Sequence, residues 1–165
     1  MRIPLTQGEF AVIDDEDYPK VMNYKWCVSK NKDGSIHYVL TRPLNELGNY
    51  KNLKLHRLIM NILDPKIKVD HINGNPLDNR KCNLRLCGTA QNSKNRKLQK
   101  NNTSGYKGLE YRSYMNKYRA RIFCNGKHIY LGWFKTKEEA AEAYNIAAVK
   151  YFGEFARLNI IKGDK

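Results

Sequence analysis

The amino-acid sequence predicts an α+β protein in two modules, the rear one a three-stranded antiparallel sheet backed by one helix. Three observations lead there. Residues 93–104, Ser-Lys-Asn-Arg-Lys-Leu-Gln-Lys-Asn-Asn-Thr-Ser, hold one apolar residue and four cations, too little to build a core, so they divide the chain. Ahead of them, short apolar runs alternate with turn residues and a helical stretch. Behind them, two alternating runs flank Asn125-Gly126 and lead into a helix with a start signal. A chain of 165 residues has room for one ordinary domain or two small ones.

Charge narrows the partners. The chain carries 30 Lys+Arg against 16 Asp+Glu, a formal +14. That excess excludes an acidic scaffold and favours nucleic acid, because fixed cations gain affinity by releasing counterions from phosphates. Residues 1–50 hold 6 Lys+Arg and 7 Asp+Glu, a net −1; residues 51–103 hold 12 and 3, a net +9; residues 104–165 hold 12 and 6, a net +6. With 41% hydrophobic residues and 11 Tyr, the chain is too rich in core formers for a disordered basic tail. No apolar run approaches the roughly 18–20 residues that span a bilayer. Acids rather than an apolar signal core follow Met1–Leu5, so the expectation is a soluble, cytoplasmic protein with no membrane partner. Cys27, Cys82, Cys87 and Cys124 form no C-x-x-C pair, and the Cys82/Cys87 spacing lacks a second pair. Reduced thiols account for them better than zinc does.

In chain order, Phe10–Ile13 and Ile36–Leu40 read as strands, with turn chemistry at Lys32-Asp33-Gly34-Ser35 before the second. Asp14-Asp15-Glu16-Asp17 lacks interleaved ligand spacing and reads as a solvated turn rather than a metal site. Leu53–Met60 passes from alternation into a helical run. Ile67–Val69 is an apolar strand ending in Asp70-His71, followed by the turn Ile72-Asn73-Gly74-Asn75. Lys81–Leu86, with Asn83, reads as a short second strand, and Thr89 as the N-cap of a helix over Ala90–Asn95 that carries Asn92. The polar tether beyond it, 98–104 at its narrowest, either tracks a phosphate backbone or is simply soluble; Lys94, Arg96 and Lys97 are its candidate DNA contacts.

The rear module is the clearest local structure. Asn-Gly between alternating runs predicts a type I′ hairpin, because both central residues need positive φ. A two-residue loop would pair Cys124 with Lys127, Ile122 with Ile129, Arg121 with Tyr130 and Arg119 with Gly132. One face would then hold Tyr118, Ala120, Ile122, Ile129, Leu131 and Trp133 as a core, the other Arg119, Arg121, Phe123, His128 and Tyr130. Lys107–Arg112 supplies a third strand. Thr136 and Glu139 form a capping box, Ala140, Tyr144, Ala147, Ala148 and Tyr151 one helix stripe, and Gly153 ends the helix. The Arg/Tyr/His face is either an ordinary solvated surface or a reader of a DNA groove, and the charge of this module favours DNA.

These residues carry two resemblances. Tyr106-Lys107-Gly108-Leu109, Leu131-Gly132-Trp133-Phe134, Glu138-Glu139-Ala140-Ala141 and Ala143-Tyr144, within 104–159, resemble an AP2 DNA-binding domain, more the bacterial and phage form than the plant one. That family reads the major groove from its sheet, which by position implies Lys107, Arg112, Tyr118, Arg119 and Arg121 as DNA contacts, with His128 and Tyr130 on the same face. Glu110 and Arg121 depart from the plant pattern, where a basic and an acidic residue respectively are usual, so the plant target is not carried over. Strand, turn, strand and helix bearing Asp70-His71, Asn83 and Asn92 resemble the HNH (ββα-metal) nucleases, most of all the intron-associated homing endonucleases of phages and bacteria.

The second resemblance implies a metal-dependent, site-directed endonuclease acting on duplex DNA. The expected organisation is a β-rich lead-in at 1–52, the nuclease motif at 53–97, a linker at 98–104 and an AP2 module at 105–160. Neutral imidazole can take a proton from water near neutral pH, which makes His71 the candidate general base. Asp70 and the amide oxygen of Asn92 would ligate Mg²⁺ or Mn²⁺, hard cations that take oxygen. Asn83 would bond across the loop and hold His71 in its tautomer. His56 either supports the core or touches a phosphate, and Arg57, Arg80 and Arg85 are candidate phosphate clamps. A monomer that nicks one strand is the slightly favoured state. The runner-up is a non-catalytic DNA-binding regulator using the AP2 module, and charge alone also allows an RNA binder.

Overall fold

The computed structural model describes residues 1–44, 48, 50–95, 98 and 101–161, and of residues 89, 90 and 92 the backbone alone. The chain divides into two compact units, Met1–Asn92 and Ser93–Lys165. Both mix small antiparallel sheets with few helices, an α+β architecture. No helix among the described residues is long and apolar enough to cross a membrane.

The first unit opens with a hairpin of β1 (Arg2–Pro4) and β2 (Phe10–Val12), then α1 (Tyr18–Val21). A three-stranded sheet follows, β3 (Cys27–Lys30), β4 (Ile36–Thr41) and β5 (Leu53–Lys54), and β5 runs directly into α2 (Leu55–Ile59). The apolar residues of these elements meet in one core, with Ala11, Ile13, Val21, Val39, Leu55 and Ile59 each at most 1% exposed. Burying one such Val, Leu or Ile stabilises by about 1.5–3 kcal/mol. On this base sits the antiparallel pair β6 (Lys68–His71) and β7 (Leu84–Cys87), with Asp70 opposite Arg85 and His71 opposite Leu84. A chain of turns over residues 72–83 links the two strands, and α3 (Thr89–Lys94) follows β7.

Two expectations change here. The acidic run is a turn with Asp15 and Glu16 exposed, as expected, but it is not solvated at its end. Asp15–Asp17 form a single 3₁₀ turn in which Asp17 is fully buried and pairs with Lys20 at 3.0 Å and Lys81 at 3.2 Å. Asp14 Oδ2 accepts the Lys81 backbone N–H at 2.7 Å, and Glu16 also pairs with Lys81. A buried carboxylate needs such partners to offset its lost hydration. The run therefore fastens the hairpin end to the segment that leads into β7, whose first residues, Lys81–Asn83, are a 3₁₀ turn and not strand. Second, α3 begins at Thr89 itself, so Gly88 takes the cap position and its N–H donates to Gln91 Oε1 at 2.7 Å.

The second unit has β8 (Leu109–Arg112), β9 (Lys117–Cys124) and β10 (Lys127–Phe134), ordered β10-β9-β8, and α4 (Lys137–Phe152) packed on one face. The Thr136/Glu139 capping box is present, and Gly153 ends α4 with φ +54°. Buried Ala140, Ala141, Ala147 and Ala148 let the helix lie close to Ala120 and Ile122 of β9. Gly108 marks the closest approach. It has φ +78°, and a Cβ there would lie 2.2 Å from the Tyr144 ring and 2.5 Å from the Arg121 carbonyl oxygen.

The hairpin register is as anticipated from Cys124/Lys127 to Arg121/Tyr130, and there it departs. Leu131 is an extra residue in β10, so Ala120, not Arg119, faces Gly132, and Arg119 faces Trp133. Gly132 allows the bulge with φ +137°, a backbone shape that side chains resist. One inserted residue reverses the faces beyond it. Phe134 turns into the core, and Trp133 moves from the expected core face to the face of Arg119.

Candidate functional site

Two surfaces gather the residues singled out by sequence, one in each unit. In the first unit, successive strand residues alternate, so Asp70 and His71 leave β6 on opposite faces of the strand pair. Asp70, 9% exposed, shares its face with Arg85, which donates to Oδ2 from Nη2 at 2.8 Å and from Nε at 3.1 Å. His71 shares its face with Leu84 and meets His56 edge to face, the ring centroids 5.3 Å apart at 82°. Burial lowers the His71 pKa, against an opposing pull from the Asn79 hydrogen bond and the carboxylates of Asp70 and Asp78. Burial, assisted by the neighbouring His71 and the cations Lys54 and Arg57, pushes His56 down to about 3. Its Nδ1 is buried without a hydrogen-bond partner among the described residues, so His56 sits in this site as a neutral ring.

The turns between β6 and β7 are built from amides. Asn83, 6% exposed, accepts the Asn73 N–H at 3.0 Å and donates to Asn73 Oδ1 at 3.1 Å and to the Asp78 carbonyl at 2.7 Å. Asp78 accepts from Arg80 at 2.8 Å through both oxygens and from Asn73 at 3.0 Å, and these partners lower its pKa despite burial. Asn79, fully buried, has its Oδ1 3.2 Å from His71 Nε2. Its backbone N–H donates to the Val12 carbonyl at 2.7 Å, and the Val12 N–H donates to Leu77 at 2.7 Å, so β2 props the loop from below. Sequence reasoning missed Asn79, Asp78 and Asn73. Asn and Asp in a Gly- and Pro-bearing stretch read as turn formers, and nothing local announces that one of them reaches an imidazole.

The remaining candidates of this unit bind the protein itself. Arg57 donates to the carbonyls of Ile67 at 2.6 Å and Asp64 at 2.7 Å, and Arg85 and Arg80 hold Asp70 and Asp78 as above. The backbone places Asn92 in α3; its side chain, Arg96 and Lys97 lie outside the described residues. Among the described residues, no three His, Cys, Asp or Glu side chains converge as metal ligands. A buried carboxylate such as Asp70, with an amide as second oxygen donor, nevertheless suits a divalent cation of the magnesium kind. Such ions take few protein ligands and keep several waters.

In the second unit, the sheet face away from α4 displays Glu110, Arg112, Lys117, Arg119, Arg121, Phe123, His128, Tyr130 and Trp133. Phe123 and Tyr130, 57% and 54% exposed, are large rings left in water; Phe123 lies beside His128 at 5.0 Å, and Tyr130 meets Trp133 edge to face at 6.3 Å. Glu110 joins the cations, pairing with Arg112 at 2.7 Å and closely with Arg119, which holds its carboxyl below the usual range. Arg121 is exposed. Two expected contacts sit elsewhere. Tyr118 lies against the core, opposite Phe134 and beside Tyr111. Lys107 is half-buried, donating from Nζ to the Arg157 carbonyl at 3.1 Å and the Lys94 carbonyl at 3.4 Å, and burial pushes its ammonium down to about 8. Lys94 packs its ammonium over the Phe152 ring at 5.2 Å. Trp133 was missed as a surface residue, although a Gly inside a strand pattern is itself a bulge signal.

No protein-family model matches the chain. An uncharacterized HNH endonuclease of Acanthamoeba polyphaga mimivirus is 36% identical over 160 residues, spanning 94% of this chain and 77% of the viral protein. Protein 3.8 of Escherichia phage T7 is 44% identical over 59 residues, which are 36% of this chain and 49% of that protein. An AP2-like ethylene-responsive transcription factor of Arabidopsis thaliana is 37% identical over 71 residues, 43% of this chain and only 15% of the factor. With a strand, β6, that ends in Asp70-His71 and a relative 36% identical across 94% of this chain, the chain belongs to the HNH endonuclease family, and part of it is similar to AP2-like proteins.

Proposed function

We propose that the protein is a metal-dependent endonuclease that hydrolyses phosphodiester bonds of duplex DNA at preferred sites, as homing endonucleases do. The observation that carries this reading is the setting of His71, which follows the buried Asp70 on β6 and whose Nε2 lies 3.2 Å from the buried amide oxygen of Asn79, with burial lowering its pKa. In the proposed reaction His71 takes a proton from water as the oxygen bonds to phosphorus and the bond to the 3′ oxygen breaks. The pair β6–β7 with α3 is the ββα element, residues 53–97 the nuclease motif, and Asn83 the residue that ties its loop. Asp70 and Asn92 would hold Mg²⁺ or Mn²⁺, which supplies Lewis acidity and stabilises the departing 3′ oxygen. Arg85, clamped on Oδ2 of Asp70, orients that carboxylate.

Residues 105–160 supply grip as an AP2 module, with Arg112, Arg119, Arg121, His128, Tyr130 and Trp133 facing the groove and Lys94, Arg96 and Lys97 near the backbone. A net +15 over residues 51–165 draws in phosphate around both surfaces. A monomer with one such site cuts one strand per encounter. The test is incubation of supercoiled plasmid with the full-length chain and Mg²⁺, with and without EDTA, and sequencing of both strands at the cuts. EDTA-sensitive nicks at recurrent positions support the reading. Tight binding with no cut in Mg²⁺ or Mn²⁺ makes the protein a non-catalytic regulator instead, and preference for RNA over duplex DNA in competition would also overturn it.

A further inference from the structure

We propose that Asn79 is the positioning residue for His71, its buried amide fixing which ring nitrogen carries the proton and so which one accepts it from water. The inference rests on the reading of His71 as general base and adds the residue that sets its tautomer. The two ends of the Asn79 amide differ in chemistry. Its Nδ2 lies 3.1 Å from the Pro76 carbonyl oxygen, which can only accept, so the amino end of the side chain is there. Its Oδ1 is therefore the end 3.2 Å from His71 Nε2, and an amide oxygen can only accept. Nε2 must then carry the hydrogen, and in the neutral ring the lone pair sits on Nδ1. Nδ1 is the atom that takes the proton.

The amide cannot easily turn over. Asn79 is fully buried, its backbone N–H is bound to the Val12 carbonyl at 2.7 Å, and its neighbours Asp78 and Arg80 clasp each other at 2.8 Å. Reversing it would set Nδ2 against a protonated Nε2 and Oδ1 against the Pro76 oxygen, leaving like ends face to face. The perpendicular ring of His56 closes a second side of the imidazole at 5.3 Å. Asn83 serves differently. Its amide ties Asn73 to the Asp78 carbonyl and thus shapes the loop that presents Asn79.

The experiment reads the tautomer directly and then the rate. Full-length protein labelled with ¹⁵N-histidine, free of metal and DNA, is recorded by long-range ¹H–¹⁵N correlation at a pH where the ring is neutral. His71 is identified by its absence from the spectrum of His71→Gln. The wild type should show the Nε2-protonated form predominating, and Asn79→Leu should give a mixture. With Mg²⁺ and plasmid, Asn79→Leu should lose about 10–100-fold in kcat, the range for residues that orient a catalytic group, with KM held. Asn79→Asp, which keeps an acceptor toward Nε2, should recover the tautomer and part of the rate. A wild-type spectrum dominated by the Nδ1-protonated form, or an Asn79→Leu spectrum unchanged from wild type, overturns the proposal, and the first of these needs no folded variant. Equal cleavage by His71→Ala and wild type would instead overturn the general-base reading while the tautomer result stands.

Discussion

The two surfaces differ in how much of their bonding is already spent. Around His71 most described polar groups are committed before any ligand arrives, though the buried Nδ1 of His56 is not. Asp70 is gripped by Arg85, Asp78 by Arg80 and Asn73, Asn83 by the loop, and the imidazole by Asn79. The sheet face of the second unit holds large rings and Arg121 open to water, with Glu110, among the described residues, tempering its charge. The contrast follows from what each must do. A proton-transfer site gains from groups fixed in advance, because reorganisation would be added to the barrier. A surface that meets a charged polymer gains from loosely hydrated cations and flat rings that settle against it.

The first way to break this comparison is to remove the imidazole. His71→Ala should lower cleavage by about 10²–10⁴-fold, the usual contribution of a general base, and leave DNA affinity where it was. Gel-shift and nicking assays on one preparation measure both. If binding fell as far as cutting, the two surfaces would not be separable in function.

The second is steric and aims at the other unit. Gly108→Ala places a methyl group 2.2 Å from the Tyr144 ring and 2.5 Å from a backbone oxygen, at positive φ. Overpacking together with the left-handed backbone should destabilise by about 3 kcal/mol. Melting of the second unit and loss of DNA binding are the expected result, checked by thermal unfolding and gel shift. An unchanged melting curve would mean that α4 does not need its close approach to the sheet.

How far each surface was legible follows the same divide. The second unit is written locally. Asn125-Gly126 sets the hairpin, Thr136 and Glu139 start the helix, and alternation assigns the faces as far as Tyr130. The reading failed at Leu131, where the period of two was carried through Gly132 although a strand glycine invites a bulge. The first unit is written at a distance. Asp70, His71 and Asn83 stood out by type and spacing, but what holds them comes from Val12 and Asp14, and those contacts join residues more than sixty positions apart. Strands of three or four residues such as β1 and β3 are too short to show a period, and Asp17 is buried because a lysine from far along the chain meets it.

Charge on the sheet face gives a prediction with two signs. Arg121→Ala should weaken DNA binding severalfold and reduce the slope of log affinity against log salt by about one. Glu110→Gln removes a carboxylate that engages both Arg112 and Arg119, so it should tighten binding by about fivefold, as expected for ~1 kcal/mol from an exposed pair. Fluorescence anisotropy over a salt series measures both. If Glu110→Gln also weakened binding, Glu110 would be part of the contact and not a brake on it.

The smallest effect tests whether Lys107 belongs to the binding face or to the scaffold. Its ammonium is pushed down to about 8 from an ordinary 10.5, chiefly by burial, while its hydrogens go to the Arg157 and Lys94 carbonyls. Between those two values the unfolded chain holds a proton that the folded one has shed, so stability should rise with pH across that window. Below about 8 both states are charged, and the penalty for burying the ammonium is fully present. Lys107→Met has no such proton to lose, so the difference in Tm between variant and wild type should drift in favour of wild type as pH climbs from 8 to 10 and stay flat below. Parallel curves throughout would mean the ammonium is as well hydrated in the fold as outside it. Lys107 would then be free to reach for phosphate, as its place in the AP2 pattern implied.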